Sequence, residues 1–317
     1  MRYLNVAERD GGYVVQLAER ETPRPAPGEV LVRVAASGVN RADLSQIAGR
    51  YPPPPGESDI LGLELSGHVA ETGVPVCALV AGGGHAEFAA VPEGQLFPAP
   101  RSLDQVTAAG IPEAYLTAFV NLVATAALER GNRVLVHAGA SGVGLAAIEL
   151  ARYLGADVAA TTRSPEKVAA LEHAGAALAL LTPRDDVPAA IEGAWGRDAV
   201  DVVLDPIGGS ALEQNLRVLA IGGRIVVIAT LGGARPEIDL SLLMRKRAAL
   251  VGSMLRARSR AEKARLVSRF RTEVLPGFDA GRLHVAVDAV YPPARAGEAF
   301  QRMRDNKNVG KLLIAWA

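Results

Sequence analysis

The sequence contains little cysteine, few aromatic residues and no net charge. Its one cysteine, Cys77, excludes a disulfide within the chain and a zinc cluster made of several thiolates. The 34 Lys and Arg residues equal the 34 Asp and Glu residues in number, so no overall field attracts nucleic acid or an anionic membrane. We therefore expect neither as a partner, and any anion site must be local.

Long apolar runs are also absent. No stretch reaches the roughly 18 apolar residues that a membrane helix needs, and residues 1–16 lack the apolar core of a signal peptide. The histidines show no spacing typical of metal ligands; they are His68, His85, His137, His173 and His284. The sequence thus predicts a cytoplasmic protein with no membrane span and no bound metal.

The chain does contain enough apolar material for two cores, since 49% of its 317 residues are hydrophobic. Residues 1–115 are typical of short strands separated by Pro and Gly, as in "EVLVRVAASGV". Residues 116–256 alternate uncharged strands with amphipathic helices, which indicates a parallel sheet covered on both faces. Residues 257–317 break this rhythm and are predicted to return to the first domain. The predicted fold class is α/β, a β-rich domain with an inserted doubly wound parallel sheet.

A basic stretch from Arg256 to Arg271 raises the question of a nucleic-acid interface. Val267, Phe270 and Val274 recur on one side of it, which predicts a helix with a buried apolar face. Glutamates are interspersed among the arginines, so we interpret the other face as solvated surface.

The stretch "LVHAGASGVG", residues 135–144, predicts a dinucleotide-binding turn between a strand and a helix. Gly139 and Gly144 occupy two positions of the G-x-G-x-x-G pattern, whereas Ser141 replaces the middle glycine. Serine is small enough to fit, and its hydroxyl can donate to a phosphate oxygen. A glycine-rich turn without a ligand is the alternative.

The identity of the dinucleotide depends on the charge at the end of the second strand, "DVAATT". NAD sites place an acid there for the ribose hydroxyl, and NADP sites replace it with a cation. Here Arg163, Ser164 and Lys167 follow the strand, which favours NADPH. The alternative is that Ser164 caps a helix and that the two cations are ordinary surface charges.

Five motifs together resemble the zinc-independent quinone oxidoreductases of the medium-chain dehydrogenase/reductase superfamily. They are "NRADLSQIAGRYPPPPG", "LGLELSGHV", "IPEAYLTAF", "HAGASGVG" and "NKNVGK". The sequence is most similar to the subgroup whose animal member is induced by a tumour-suppressor protein. The resemblance implies a GroES-like catalytic domain, an inserted Rossmann domain and a homodimer formed through the last Rossmann strand, "AALVGSM".

The resemblance also implies catalytic roles for Tyr51 and Asn40 as hydrogen-bond donors, with Asp43 orienting the loop. Taken alone, Tyr51 could be a packing aromatic in a proline loop and Asn40 a turn-stabilising amide. Zinc members carry cysteine at position 40 and histidine before Glu64, so both ligands are missing here. Glu64 is predicted to make a buried structural hydrogen bond.

The candidate cofactor contacts combine the glycine turn, the ends of later strands and residues implied by the resemblance. They are Asn40, Thr117, Gly139, Ala140, Ser141, Gly142, Val143, Gly144, Arg163, Ser164, Lys167, Asp205, Ile207, Gly208, Thr230, Leu231, Gly232, Asn308 and Lys311. Two departures from the family pattern stand out. A turn near Gly73 is about ten residues shorter than in relatives, and Thr182 replaces a tyrosine near the expected 2′-phosphate.

These features predict an NADPH-dependent enzyme that delivers hydride to a quinone or a similar conjugated carbonyl compound. One alternative is reduction of the carbon–carbon double bond of an enone, alkenal or enoyl thioester. The other is a crystallin-like protein that binds the cofactor with little catalysis.

Overall fold

A computed structural model of the chain describes residues 1–9, 12–182 and 184–316. It divides into unit 1, Met1–Leu116 with Leu255–Ala317, and unit 2, Thr117–Met254. Unit 2 therefore interrupts unit 1 in the chain. Residues 255 and 256, which the sequence placed in the inserted domain, belong to unit 1.

Unit 2 contains a six-stranded sheet with helices between its strands. The strands are β8 (Arg133–Val136), β9 (Asp157–Thr162), β10 (Leu178–Leu181), β11 (Val200–Asp205), β12 (Leu219–Val227) and β13 (Ala249–Gly252). The helices are α4 (Gly142–Tyr153), α5 (Val168–Ala174), α6 (Val187–Trp195), α7 (Leu212–Val218) and α8 (Leu240–Arg245).

All neighbouring strands of this sheet run parallel, in the order β10-β9-β8-β11-β12-β13. Numbered from β8, this is 3-2-1-4-5-6, the order of dinucleotide-binding sheets. The side chains of β8 and β9 that face the core are uncharged and buried because helices cover both faces of such a sheet. The predicted doubly wound parallel sheet is confirmed.

Unit 1 is built on a second sheet of short strands. Its elements are β1 (Arg2–Arg9), β2 (Gly12–Glu19), β3 (Glu29–Val39), α1 (Arg41–Ile47), β4 (Glu64–Val69), β5 (Pro75–Leu79), β6 (Phe88–Pro92), β7 (Leu96–Pro98), α2 (Gln105–Ala108), α9 (Arg260–Glu273), α10 (Leu275–Asp279), β14 (Val287–Tyr291), α11 (Ala296–Arg304) and β15 (Lys311–Ala315). A further helix, α3 (Pro112–Phe119), contains the boundary between the units.

The sheet order in unit 1 is β14-β15-β3-β4-β5-β7, and β6 also pairs with β3. The C-terminal strand β15 thus pairs with β3 from the start of the chain, in antiparallel register. This pairing brings Lys311, at the start of β15, next to the end of β3. The predicted return of the last segment to the first domain explains how residues 271 positions apart in sequence meet.

The shortened turn near Gly73 closes as a tight hairpin between β4 and β5. His68 pairs with Pro75, and the amide of Val69 donates to the carbonyl of Val74 at 2.9 Å. Gly73 has φ +72°, which glycine adopts without the steric cost that a Cβ would bring. The shortening therefore leaves the strand pairing intact.

Helix α9 confirms the predicted apolar face, since Val267, Phe270 and Val274 are all buried. The helix begins later than predicted, however. Ser259 is its N-cap and exchanges hydrogen bonds with Glu262, a capping box that fixes the first turn at Arg260. Residues 256–258 consequently lie outside the helix. Across the described ranges, no helix is both long and apolar enough to cross a bilayer.

Candidate active site

Most of the predicted cofactor residues lie at one edge of the unit 2 sheet. Because its strands are parallel, the segments that follow β8, β9, β11 and β12 all emerge at the same edge. The strand order reverses between β8 and β11, and open α/β sheets bind ligands at this point, outside the carboxyl ends of the strands. The structure thus brings the residues around 139–144, 163–167, 205–208 and 230–232 to one edge.

The turn between β8 and α4 shows how serine replaces the middle glycine. Ser141 is the N-cap of α4, and its hydroxyl accepts a hydrogen bond from the amide of Gly144 at 3.0 Å. A Cβ on Gly144 would lie 2.5 Å from the carbonyl oxygens of Ala138 and Gly139, so only glycine fits there. The hydroxyl hydrogen of Ser141 is not used by this cap and can donate elsewhere.

The start of α4 offers further donors. Within the described part of the chain, the amides of Gly142 and Val143 have no hydrogen-bond acceptor. Such free N–H groups at the start of a 12-residue helix, together with the helix dipole, favour an anion. Ala140 in the same turn is buried and packs the loop onto the sheet.

The segment after β9 separates the two predicted cations. Arg163 is exposed and, among the described residues, makes no hydrogen bond or ion pair. Lys167 is only 5% exposed, so it is not the free surface charge that we considered as an alternative. Ser164 precedes the helical turn Pro165–Lys167 but makes no side-chain cap. Thr182 lies beside this segment, since its amide donates to the carbonyl of Thr162 at 2.9 Å.

A buried polar chain joins the ends of β8, β9 and β11, which the sequence did not predict. His137 contacts Thr161 Oγ1 through Nδ1 at 2.9 Å and Asn215 Oδ1 through Nε2 at 2.7 Å. The amide Nδ2 of Asn215 donates to Asp205 Oδ2 at 3.0 Å, so its Oδ1 must accept from His137. His137 is therefore neutral with its proton on Nε2. Burial lowers the pKa of His137, which agrees with this state.

The other carboxylate oxygen of Asp205 holds the loop after β11. Oδ1 accepts from the amides of Ile207 at 2.6 Å and Gly208 at 2.9 Å. Gly208 has φ +73°, a conformation that favours glycine. Asp205 thus shapes the loop and uses both of its oxygens to do so.

The loop after β12 is bound to the same structure. The amide of Gly232 donates to Ile207 O at 2.7 Å, and the amide of Leu231 donates to Pro206 O at 3.2 Å. Leu231 is 57% exposed, as expected for a residue at the edge of a ligand site. Thr230 precedes this contact, so the predicted residues of both loops form one connected edge.

Thr117 lies apart from these loops on α3, where it is buried and its carbonyl accepts from Asn121 Nδ2 at 2.7 Å. In unit 1, Asn308 is also buried and donates to Gly310 O at 2.9 Å. Their predicted contacts with a cofactor remain predictions.

In unit 1 the predicted catalytic residues cluster at the start of α1. Asp43 is fully buried and accepts from the amides of Asn40 at 2.7 Å and Gly62 at 3.1 Å. It therefore orients two loops, which is the role that the resemblance implies. The ring of His85 lies 3.5 Å from Asp43 Oδ2, and its Nδ1 contacts Ser37 Oγ at 2.7 Å.

The side chain of Asn40 is held on every polar atom. Lys311 Nζ donates to its Oδ1 at 2.8 Å, and because an ammonium cannot accept, the orientation of the amide is fixed. Nδ2 donates to Gly38 O at 3.1 Å and to Glu64 Oε1 at 2.9 Å. Both N–H groups are thus engaged within unit 1, which favours Tyr51 over Asn40 as the donor to a substrate.

Glu64 and Lys311 form a buried ion pair. Glu64 Oε1 accepts from the Lys311 ammonium, and Oε2 accepts from the amide of Glu113 at 2.8 Å. Glu64 is fully buried and Lys311 is 3% exposed. The predicted structural hydrogen bond of Glu64 is present, but its partners come from distant parts of the chain.

Glu113, which the sequence analysis missed, is the carboxyl group least suited to ionise. Burial first, and then the negative charge of Glu64, raise the pKa of Glu113 to about 8. The cations Lys311 and Arg256 act against this rise, and Asp43 adds to it. Glu113 therefore holds a proton at neutral pH.

Tyr51 is half-buried beside the proline run. Burial, followed by the charge of Glu113, raises the pKa of Tyr51 to about 12, while Arg256 opposes the rise. The phenol therefore stays protonated at any pH at which the protein works. In the described structure its hydroxyl makes no hydrogen bond, so it can donate to a ligand.

A dinucleotide-type sheet carrying free helix N–H groups, with a second unit that presents a phenol over buried charges, is typical of two-domain oxidoreductases. Two family models match the chain. "Alcohol dehydrogenase GroES-like domain" matches residues 26–101, and "Zinc-binding dehydrogenase" matches residues 142–270.

Known proteins resemble the whole chain. Quinone oxidoreductase-like protein 2 of Bos taurus is 32% identical over 94% of this chain and 88% of its own length. The crystal structures of the quinone oxidoreductase from Thermus thermophilus and its NADPH complex match all of both chains, with 34% identity and a TM-score of 0.86. The JamJ enoyl reductase in its apo form matches 99% of this chain and 98% of its own, with 25% identity and a TM-score of 0.82.

A polyketide synthase of Streptomyces halstedii is 34% identical over 90% of this chain, which spans only 5% of the synthase. The chain belongs to the medium-chain dehydrogenase/reductase superfamily and is homologous to its quinone oxidoreductases. The resemblance read from the sequence and the GroES-like assignment of unit 1 are confirmed. Membership supports an oxidoreductase.

The residues at positions 40 and 64 do not fit the zinc that one family model names. Zinc prefers Cys, His and carboxylate ligands, whereas an amide and a carboxylate here share a lysine ammonium. Residues 1–9, 12–182 and 184–316 contain no group of three or more His, Cys, Asp or Glu that could hold a metal ion. The absence of zinc stays a prediction.

Proposed function

We propose that the chain is an NADPH-dependent reductase that transfers hydride to a quinone or a related conjugated carbonyl compound without zinc. The observation that carries this proposal is the edge of the unit 2 sheet, where the free amides of α4 follow β8 and the unpaired Arg163 follows the neighbouring β9. The NADPH complex of the Thermus relative supports the choice of cofactor.

The chain's own groups suit this dinucleotide. The amides of Gly142 and Val143 and the hydroxyl of Ser141 can donate to the pyrophosphate. The guanidinium of Arg163 suits the 2′-phosphate, because its planar donors match phosphate oxygens. When bound, NADPH supplies the hydride, a hydrogen nucleus with two electrons.

On the acceptor, negative charge develops at the carbonyl oxygen as hydride reaches the conjugated system. A fixed donor stabilises this charge strongly in a site that excludes water. The Tyr51 hydroxyl is protonated and has no partner in the described structure, so it fits this role. One proton from solvent then completes the hydroquinone.

The experiment is steady-state turnover of NADPH with a naphthoquinone, comparing the wild type with Tyr51→Phe. Loss of a single oxyanion donor typically lowers kcat by about 10²–10³-fold, and we expect a loss of this order. Tyr13→Phe, which alters an exposed phenol, serves as the control. A Tyr51→Phe variant with wild-type kcat would remove the proposed role of Tyr51.

Reduction of a conjugated carbon–carbon double bond is the second candidate, favoured by the similarity to an enoyl reductase. The same assay run with an alkenal and an enoyl thioester separates the two, since the preferred class has the higher kcat/KM. NADPH binding without turnover of any acceptor would instead favour a crystallin-like protein that only binds the cofactor.

We also propose a homodimer formed through β13. This strand lies at the edge of the sheet, where its backbone groups are open to pairing. Its neighbourhood exposes apolar side chains, with Leu250 43%, Met254 55% and Met244 75% exposed. Light scattering should give twice the mass of the chain, and a monomer at micromolar concentration would contradict this.

A further inference from the structure

The side chain of Arg256 is buried and binds three separate parts of unit 1. Nε donates to Ala81 O at 2.7 Å, Nη1 to Tyr51 O at 2.8 Å, and Nη2 to Gln46 Oε1 at 2.7 Å. The guanidinium carbon also lies 5.0 Å from the centre of the Tyr51 ring. Arg256 therefore contacts both the backbone and the ring of the residue that carries the proposed donor.

A second arginine of the same segment holds the other end of the proline loop. Arg260 Nε lies 3.1 Å from Glu57 Oε1, and its Nη1 lies 2.8 Å from Glu29 Oε1. The loop from Tyr51 to Glu57 is thus attached at both ends to residues 256–260. Four consecutive prolines between these ends favour a stiff, extended backbone.

The chemistry of these contacts requires arginine. A planar guanidinium directs donors to three acceptors and stacks on an aromatic ring at the same time, whereas a lysine ammonium is a point charge. Removing a charged group from water has a high cost unless its donors are satisfied. At Arg256 each of the three nitrogens is hydrogen-bonded, and the residue is only 5% exposed.

We propose that Arg256 is a positioning residue that fixes the phenol of Tyr51 for catalysis, which rests on the function proposed above. The guanidinium fixes the backbone where the proline loop begins and confines the ring from one side. The stiff loop and the Arg260 contacts then prevent the segment from moving at its other end. Arg256 acts through Tyr51 and has no need to touch the substrate.

A purely structural role would give a different pattern. An arginine that only stabilises the fold would lower stability and activity to similar degrees whether or not Tyr51 carries a hydroxyl. A positioning residue loses most of its effect on kcat once that hydroxyl is gone, because interacting residues are not additive.

The test is a double-mutant cycle of Arg256→Gln and Tyr51→Phe in the full-length protein, with NADPH and a naphthoquinone. We expect Arg256→Gln to lower kcat about tenfold or more, since small misplacements of a reacting group cost up to about 10²-fold. KM for NADPH should stay unchanged, and in the Tyr51→Phe background the same change should cost less than about twofold. Arg265→Gln, at an exposed position of α9, is the matched control.

A second arm reads the position of the ring without any turnover. The protein is labelled at the tyrosine ring carbons, and the Tyr51 signal among the six tyrosines is assigned by its loss in Tyr51→Phe. We expect this signal to shift in Arg256→Gln and Arg256→Lys but not in Arg265→Gln. Arg256→Lys keeps a positive charge and guards against failure of the glutamine variant to fold.

The outcomes are separable. Additive losses of kcat, or an unchanged Tyr51 signal in both Arg256 variants, would overturn the positioning role. If the wild type reduces no acceptor, the proposed function fails, and the ring signal alone then decides whether Arg256 fixes Tyr51.

Discussion

The two units of the chain build their sites in opposite ways. Unit 2 uses backbone amides and glycines that follow one another closely, as in the turn from Gly139 to Gly144. Unit 1 uses charged side chains from separate parts of the sequence, because Asn40, Glu64 and Lys311 meet inside its core. A site made of backbone depends on local conformation, whereas a site made of buried charges depends on every partner being present.

This difference predicts where substitutions act most strongly. Removing one member of a buried ion pair leaves the other charge without compensation, whereas removing a cap loses a single hydrogen bond. Unit 1 should therefore be fragile to single changes, and unit 2 should be tolerant.

The largest effect should follow Lys311→Met, which leaves the Glu64 carboxylate buried without its ammonium. We expect a loss of about 3–5 kcal/mol in the free energy of unfolding, measured by urea denaturation. The control is Lys307→Met, since Lys307 is largely exposed in its ion pair with Asp305. A loss below that of the control would show that the buried pair is not essential to unit 1.

A pH-dependent effect should come from Glu113. Its pKa in the fold is about 8 against an ordinary 4.5, so the folded state binds a proton that the unfolded state releases between these values. Stability should therefore fall as pH rises from about 4.5 to 8 and level off above that range. Glu113→Gln keeps the shape without the charge and should remove this slope.

The measurement is the urea midpoint of the wild type and of Glu113→Gln at several pH values. The variant should gain relative to the wild type up to about pH 8. His137 acts on the acid side, since its lowered pKa makes stability fall as pH drops below its ordinary value of 6.5. Parallel curves for the two proteins would contradict a protonated Glu113.

The smallest effect should come from the cap of α4 in unit 2. Ser141→Ala removes the acceptor for the Gly144 amide and should cost about 1 kcal/mol of unfolding free energy. Ser141→Gly should cost only a few tenths of a kcal/mol, because glycine is also accepted at N-caps. Equal losses in the two variants would show that the cap does not set the stability of this turn.

The same contrast explains what the sequence could predict. The glycine turn, the parallel strands and the ends of β9, β11 and β12 were recognisable because each is a short local pattern. The 3-2-1-4-5-6 order explains why these separate segments reach one edge.

The remaining residues could not be found in this way. Asn215 reaches His137 across 78 positions, and Arg256 reaches Gln46 across 210, so no local pattern connects them. For Arg256 one signal was available. Ser259 followed by Glu262 forms a capping-box pattern, which places Arg256 before the helix instead of on its solvated face.

The central claim is that the unit 2 edge holds a dinucleotide and that Arg163 selects its 2′-phosphate. Calorimetric titration of the wild type and Arg163→Ala with NADPH and NADH tests it most directly. A charge-assisted hydrogen bond is worth about 1.5–3 kcal/mol, so Arg163→Ala should weaken NADPH binding at least about tenfold and leave NADH binding nearly unchanged. The companion variant Arg163→Ala/Lys167→Ala should widen this gap. Equal weakening of both dinucleotides, or no binding of either to the folded wild type, would contradict the account.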